Sequence, residues 1–134
     1  APGRKVALIG HSLGGLLLRV AASDPRLSGK IACLVTLGSP HRGSTLARLA
    51  LGGLGRSLRP ESGLFGELDG VCGPRDLPRL ALVSPVDNMV LPAANLEPPS
   101  GWERAAVPPM GHVAMLYRAA PARLAAAFLR QYPG

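Results

Sequence analysis

Short apolar runs alternate with longer amphipathic stretches along this chain. Val6-Ala7-Leu8-Ile9 is bounded by Lys5 on one side and Gly10 on the other. Such a run is too short for a helix and reads as a strand buried on both faces. From Leu13 to Ala22 the apolar positions fall into a helical pattern, which Asp24-Pro25 ends. Ile31 to Thr36 is a second buried strand, with β-branched residues that suit a pleated sheet. Gly38 to Pro40 then opens a long connection. Within it the pattern predicts a helix around Thr45–Leu51, a Gly-rich stretch, and a short helix near Leu64–Leu68. Leu80-Ala81-Leu82-Val83 is a third strand, closing at Ser84-Pro85. Arg104–Val107 is a fourth, followed by Pro108-Pro109. Pro121 to Tyr132 is the last helix, with Leu124, Phe128 and Leu129 on one stripe.

Strands that alternate with helices in this order imply a parallel sheet joined by crossovers, the α/β class. The 134 residues, 47% hydrophobic and 17% charged, suit one domain with a buried core and exclude a disordered chain. No internal repeat or second domain is visible. No apolar run approaches the roughly 18 residues of a membrane span. The formal charge of +7 raises the question of nucleic acid. The basic residues, mostly arginine, are scattered singly or in pairs from Arg4 to Arg130, and no aromatic is interleaved with them. That pattern is a solvated basic surface and no nucleic-acid site, although attraction to an anionic substrate or lipid stays open. Cys33, in an apolar run, reads as a small core residue, and Cys72 lies in a loop; together they make no disulfide scaffold. His11, His41 and His112 form no metal-ligand spacing. The chain enters its first strand almost at once, without a leader or preceding helix, so a partial domain is expected and the compartment is unknown.

The chemistry centres on Gly10-His11-Ser12-Leu13-Gly14, set between a strand and a helix. A GxSxG motif in that context makes a sharp turn that lifts the serine hydroxyl above the sheet edge. Strained backbone is expected at Ser12, and glycine at positions 10 and 14 is expected to prevent a clash with the turn. Gly15 extends the small patch where helix meets strand. The same turn aims the Leu13 N–H at a developing oxyanion, one of the two donors such a site needs. A serine nucleophile requires a base oriented by a third group. Asp87 lies just past the third strand, where parallel sheets place their sites. Asp24 reads as a helix-end residue, Asp69 and Asp76 lie in the long connection, and Glu97 is too far beyond its strand. His112 follows the fourth strand and completes the order Ser, acid, His. His11 should point away from the hydroxyl, and His41 reads as a structural or substrate-contacting residue.

These segments resemble the α/β-hydrolase superfamily, and within it the bacterial lipases and esterases. The likeness is carried by VALIGHSLGGLLLR at the elbow, TLGSPHRGSTLARL after the second strand, SPVDNMVLP and MGHVAMLY. LRPESGLFGEL is similar to a further element of that group, with Glu61 as a departure from it. The resemblance covers almost the whole chain but only the second half of the family's domain. It implies the C-terminal half of an α/β-hydrolase fold, a parallel sheet of about four strands flanked by helices. It also implies ester hydrolysis through an acyl-enzyme on Ser12, Asp87 and His112, with no cofactor and no metal. The substrate expected is a small-molecule ester or a lipid. Acyl transfer or thioester hydrolysis on the same residues remains open, as does a fragment or subunit that needs an N-terminal half. In the resembled family the strand Val6–Ile9 is central. Without its earlier neighbours its open edge invites self-association, and the absent second oxyanion donor would impair the isolated chain.

Overall fold

The computed structural model describes residues 3–49, 53–70 and 76–134. Four strands form one wholly parallel sheet in the order β1 (Val6–His11), β2 (Ile31–Leu37), β3 (Arg79–Val83) and β4 (Glu103–Ala106). The order along the sheet is the order along the chain, so each strand lies beside the next one in sequence. Every residue of β2 is buried. Its near-continuous apolar run is required because helices or loops cover both of its faces.

The two faces follow the two-residue period of the strand. Cys33, Val35 and Leu37 point to one side and pack with Leu80, Leu82, Val107, Met115 and the last helix, α4 (Ala119–Leu129), through Ala125 and Phe128. On the other side Leu34 packs with Ala22 and Leu77, below the first helix, α1 (Leu13–Ala22), and a register shift between Ile31 and Cys33 breaks the period and lets Ile31 join them. The α1 residue Leu16 is buried against Phe65 and Leu68 of the helix Gly63–Gly70, designated α3. A chain segment from the long connection thus sits on the helix that follows the serine turn.

The expected helix around Thr45–Leu51 is a 3₁₀ turn at Thr45–Leu49, while residues 50–52 lie outside those described; a further helix, α2, covers Gly53–Ser57. The last helix starts at Ala119, two residues before Pro121, because proline is tolerated in a first turn. It ends at Leu129, and the Tyr132 ring folds back against Phe128 with centroids 5.0 Å apart. Cys33 is a buried free thiol, as expected, and Cys72 lies outside the described residues. No helix among the described residues is long and apolar enough to cross a membrane.

Candidate active site

β1 runs two residues further than its apolar core suggests, through Gly10 and His11. Ser12 is therefore the single residue between β1 and α1, and it alone must reverse the chain. It does so at φ 53°, ψ −126°, and no other non-glycine among the described residues has positive φ. That backbone costs about 1–3 kcal/mol and persists only where the surroundings impose it. Here the Ser12 N–H is held by the Leu37 carbonyl at 2.9 Å. A Cβ at position 10 would lie 2.7 Å from the Gly15 nitrogen, so the turn can close only on glycine. The second indispensable glycine is Gly15, where a Cβ would run into Ser39 and would stand 2.9 Å from Thr36 Cγ2. Position 14, expected to be crowded, faces open space. The close approach lies one residue later because α1 packs on β2 through position 15. Leu13 is the first residue of α1, where a helix N–H has no intrahelical acceptor.

Asp87 and His112 meet just beyond two neighbouring strands. Asp87 lies on the loop after β3 and His112 on the loop after β4, both at the C-terminal end of the sheet with Ser12. His112 Nδ1 donates to Asp87 Oδ2 at 2.7 Å, and both side chains are buried. The other carboxylate oxygen accepts the N–H groups of Met89 (2.8 Å) and Val90 (2.9 Å). Burial alone would raise the Asp87 carboxyl. The hydrogen bonds from His112 and these two amides outweigh it and hold the group below the ordinary carboxylate range. An ionised Asp87 fixes the proton on Nδ1, which leaves Nε2 with its lone pair free to act as a base. The His112 N–H is held in turn by Asn88 Oδ1 at 3.0 Å. Ser84 Oγ joins the two loops by contacts to both main-chain polar groups of Met110.

Gly38 makes room for the pair. It has φ +55°, and a Cβ there would lie 3.2 Å from Asp87 Oδ2 and from His112 Cε1 and Nδ1. Because Gly38 directly follows Leu37, whose carbonyl holds Ser12, the serine turn and the Asp87–His112 pair flank one residue. No hydrogen bond joins Ser12 Oγ to His112 among the described contacts, and catalytic contacts of this kind commonly tighten only with substrate bound. Sequence reasoning assigned no role to Gly38 or Asn88, and its only signal for either was adjacency to a strand end or to Asp87. It turned His11 away from the Ser12 hydroxyl and named no partner for it, and the His11 ring lies against that of His112, with centroids 4.6 Å apart.

The competing groups sit elsewhere. Asp24 accepts the Arg26 N–H and caps the 3₁₀ turn Pro25–Leu27, while Glu97 pairs with Arg104 at 2.8 Å. Asp76 is exposed, and the Asp69 side chain lies outside what is described. His41 is buried and structural: Arg19 of α1 donates to its Nδ1 (3.5 Å) and to its carbonyl (3.4 Å), and its Nε2 meets Thr36 Oγ1 at 3.1 Å. Since a guanidinium only donates, Nδ1 is the acceptor and Nε2 carries the hydrogen. Arg19 also bonds the Leu68 carbonyl, which ties α3 to α1. Burial, with the nearby Arg19 charge adding to it, pushes the His41 pKa down to about 3. An open cleft of about 410 Å³ beside Pro108–Gly111 and the start of α4 is lined by none of Ser12, Asp87 and His112. No group of three or more candidate metal ligands occurs among the described residues.

Residues 1–49 match the family described as PGAP1-like alpha/beta domain. The chain is 45% identical over 40 residues to a GPI inositol-deacylase of Candida albicans, and 57% identical over 44 residues to a triacylglycerol lipase of Pseudarthrobacter phenanthrenivorans. These stretches cover 30% and 32% of this chain but only 10% and 13% of those relatives. Across the whole fold it resembles the mature lipase BlEst2 of Bacillus licheniformis, with a TM-score of 0.72 at 19% identity, over 98% of this chain and 67% of that one. The chain therefore has an α/β-hydrolase fold, and it spans about two thirds of the length of that neighbour.

Proposed function

We propose that this chain carries the nucleophile, acid and base of a serine hydrolase that cleaves carboxylic esters, of lipase or esterase type. The observation that carries the reading is the strained Ser12 backbone at the single-residue turn from β1 to α1, on the sheet end where Asp87 holds His112. Nothing in core packing requires a non-glycine residue at φ 53°, whereas presenting a hydroxyl does. Ser12 Oγ attacks the acyl carbonyl and passes its proton to His112 Nε2. The Leu13 N–H stabilises the oxyanion, and His112 then protonates the departing alcohol. Water, deprotonated by the same base, attacks the acyl-serine and releases the acid. Asp87 keeps the imidazole oriented and stabilises its charged form. The 40- and 44-residue matches to a deacylase and a lipase support an acyl ester or lipid as substrate. A fluorophosphonate probe is expected to attach to the peptide containing Ser12, identified by mass spectrometry, and Ser12→Ala is expected to remain unlabelled. Labelling of equal extent in the Ser12→Ala protein would remove Ser12 from this role.

We also propose that residues 1–134 by themselves form an impaired enzyme. β1 is the edge of the sheet, with Val6 55% and Ile9 51% exposed, and α1 leaves Leu17 and Val20 exposed beside it. An apolar edge with open backbone donors and acceptors pairs readily with another. With Leu13 as the one oxyanion donor assigned, kcat is reduced by roughly 10²–10³. Light scattering on the 134-residue chain is expected to show self-association that grows with concentration. A monomer over the whole concentration range would contradict it.

A further inference from the structure

We infer that His11 is a positioning residue for His112, coupling the serine turn to the loop that carries the base; the inference rests on the reading of Ser12, Asp87 and His112 given above. His112 is held at three points. Its ring nitrogen is held by Asp87 and its backbone N–H by Asn88, both from the loop after β3. Its carbonyl is held by His11 Nε2 at 3.1 Å, a contact between residues 101 positions apart. A carbonyl can only accept, so Nε2 of His11 carries a hydrogen in this contact and His11 is the donor. His11 precedes Ser12 in the chain and is the last residue of β1. The hydrogen bond therefore fixes the distance between the nucleophile's own strand and the base, the one separation that the acid loop cannot set.

Asp87 and His112 are the two titratable groups that face the His11 ring. Burial lowers the His11 pKa, partly offset by its hydrogen bond to the His112 carbonyl. A neutral His11 is what the site requires, because His112 becomes positively charged as the serine attacks. A cation at a ring separation of 4.6 Å would oppose that charge.

Three variants separate the hydrogen bond from the ring contact. His11→Gln retains an N–H donor, His11→Phe retains a ring without a donor, and His11→Ala retains neither. On a p-nitrophenyl ester, Phe and Ala are expected to lower kcat about ten- to a hundredfold with little change in KM, as small misplacements of a catalytic group do. Gln is expected to recover most of the loss. Equal losses in Gln and Ala, or no loss in Ala, would overturn the positioning role while labelling of Ser12 still stood. Activity that survived Ser12→Ala would instead overturn the site reading itself. A measurement on the unsubstituted chain keeps the test independent of variant folding. The His112 ring resonance, followed by NMR against pH, is expected to respond over the range in which His11 gains its proton, because the two rings are in contact. A His112 resonance indifferent to the His11 titration would overturn the coupling.

Discussion

Asp87→Asn is expected to lower kcat for a p-nitrophenyl ester by about 10⁴-fold, the cost of the corresponding change in a serine protease. The hydrogen bonds around Asp87 explain why the loss should be so large. One carboxylate oxygen already accepts two backbone amides, from Met89 and Val90. An asparagine would keep its carbonyl oxygen on those two donors, and its NH₂ would then face His112 Nδ1. Two donors cannot share that contact, so the imidazole moves its hydrogen to Nε2 and loses the lone pair needed to accept the serine proton. The negative charge that stabilises imidazolium disappears as well. The substitution is nearly isosteric and retains both backbone contacts, so the cooperative melt should survive. Turnover at saturating ester within about tenfold of the parent would mean that Asp87 does not orient the base.

Acidification is expected to destabilise the fold well above the pH at which carboxylates titrate, with His41 as a main cause. Burial keeps His41 neutral in the fold down to about 3, whereas an unperturbed histidine binds its proton near 6.5. Between those values the unfolded state carries the extra proton. Stability is therefore complete above about pH 6.5 and falls by about 1.4 kcal/mol per pH unit below it. Over the full interval the loss is on the order of 5 kcal/mol, a large share of the roughly 5–15 kcal/mol by which domains are stable. His11, whose pKa is also lowered, adds a smaller contribution of the same sign. Asp87 is held below its usual 3.8, so its contribution is lost only at still lower pH. His41→Gln can accept from Arg19 and donate to Thr36 without titrating. Urea melts of parent and variant at pH 7.5 and pH 4.5 should show a much flatter dependence for the variant. Parallel slopes in the two proteins would remove His41 from this role.

The linear pattern was enough for four strands, the first helix to the residue, and a parallel sheet, because two-residue and 3.6-residue periods are local properties. It was also enough to single out Ser12, Asp87 and His112, since each stands at the end of a strand in a fold that puts its chemistry there. What the pattern lacked was everything set by contacts between distant segments. Gly38 reads in sequence as a loop opener, and only the placement of β2 beside β3 makes it the residue whose absent side chain admits Asp87 and His112. The crowding expected at Gly14 belongs to Gly15, because the angle at which α1 crosses β2 has no sequence signature. His11 was oriented from its own turn alone, which says where the side chain leaves but not what it meets. Its partner, His112, arrives from 101 residues away on the other side of the sheet. Local sequence thus determined the strands, the first helix and which side chains stand at the strand ends. The tertiary structure decided which of those groups touch, because separation in space is set by the sheet order and not by separation along the chain.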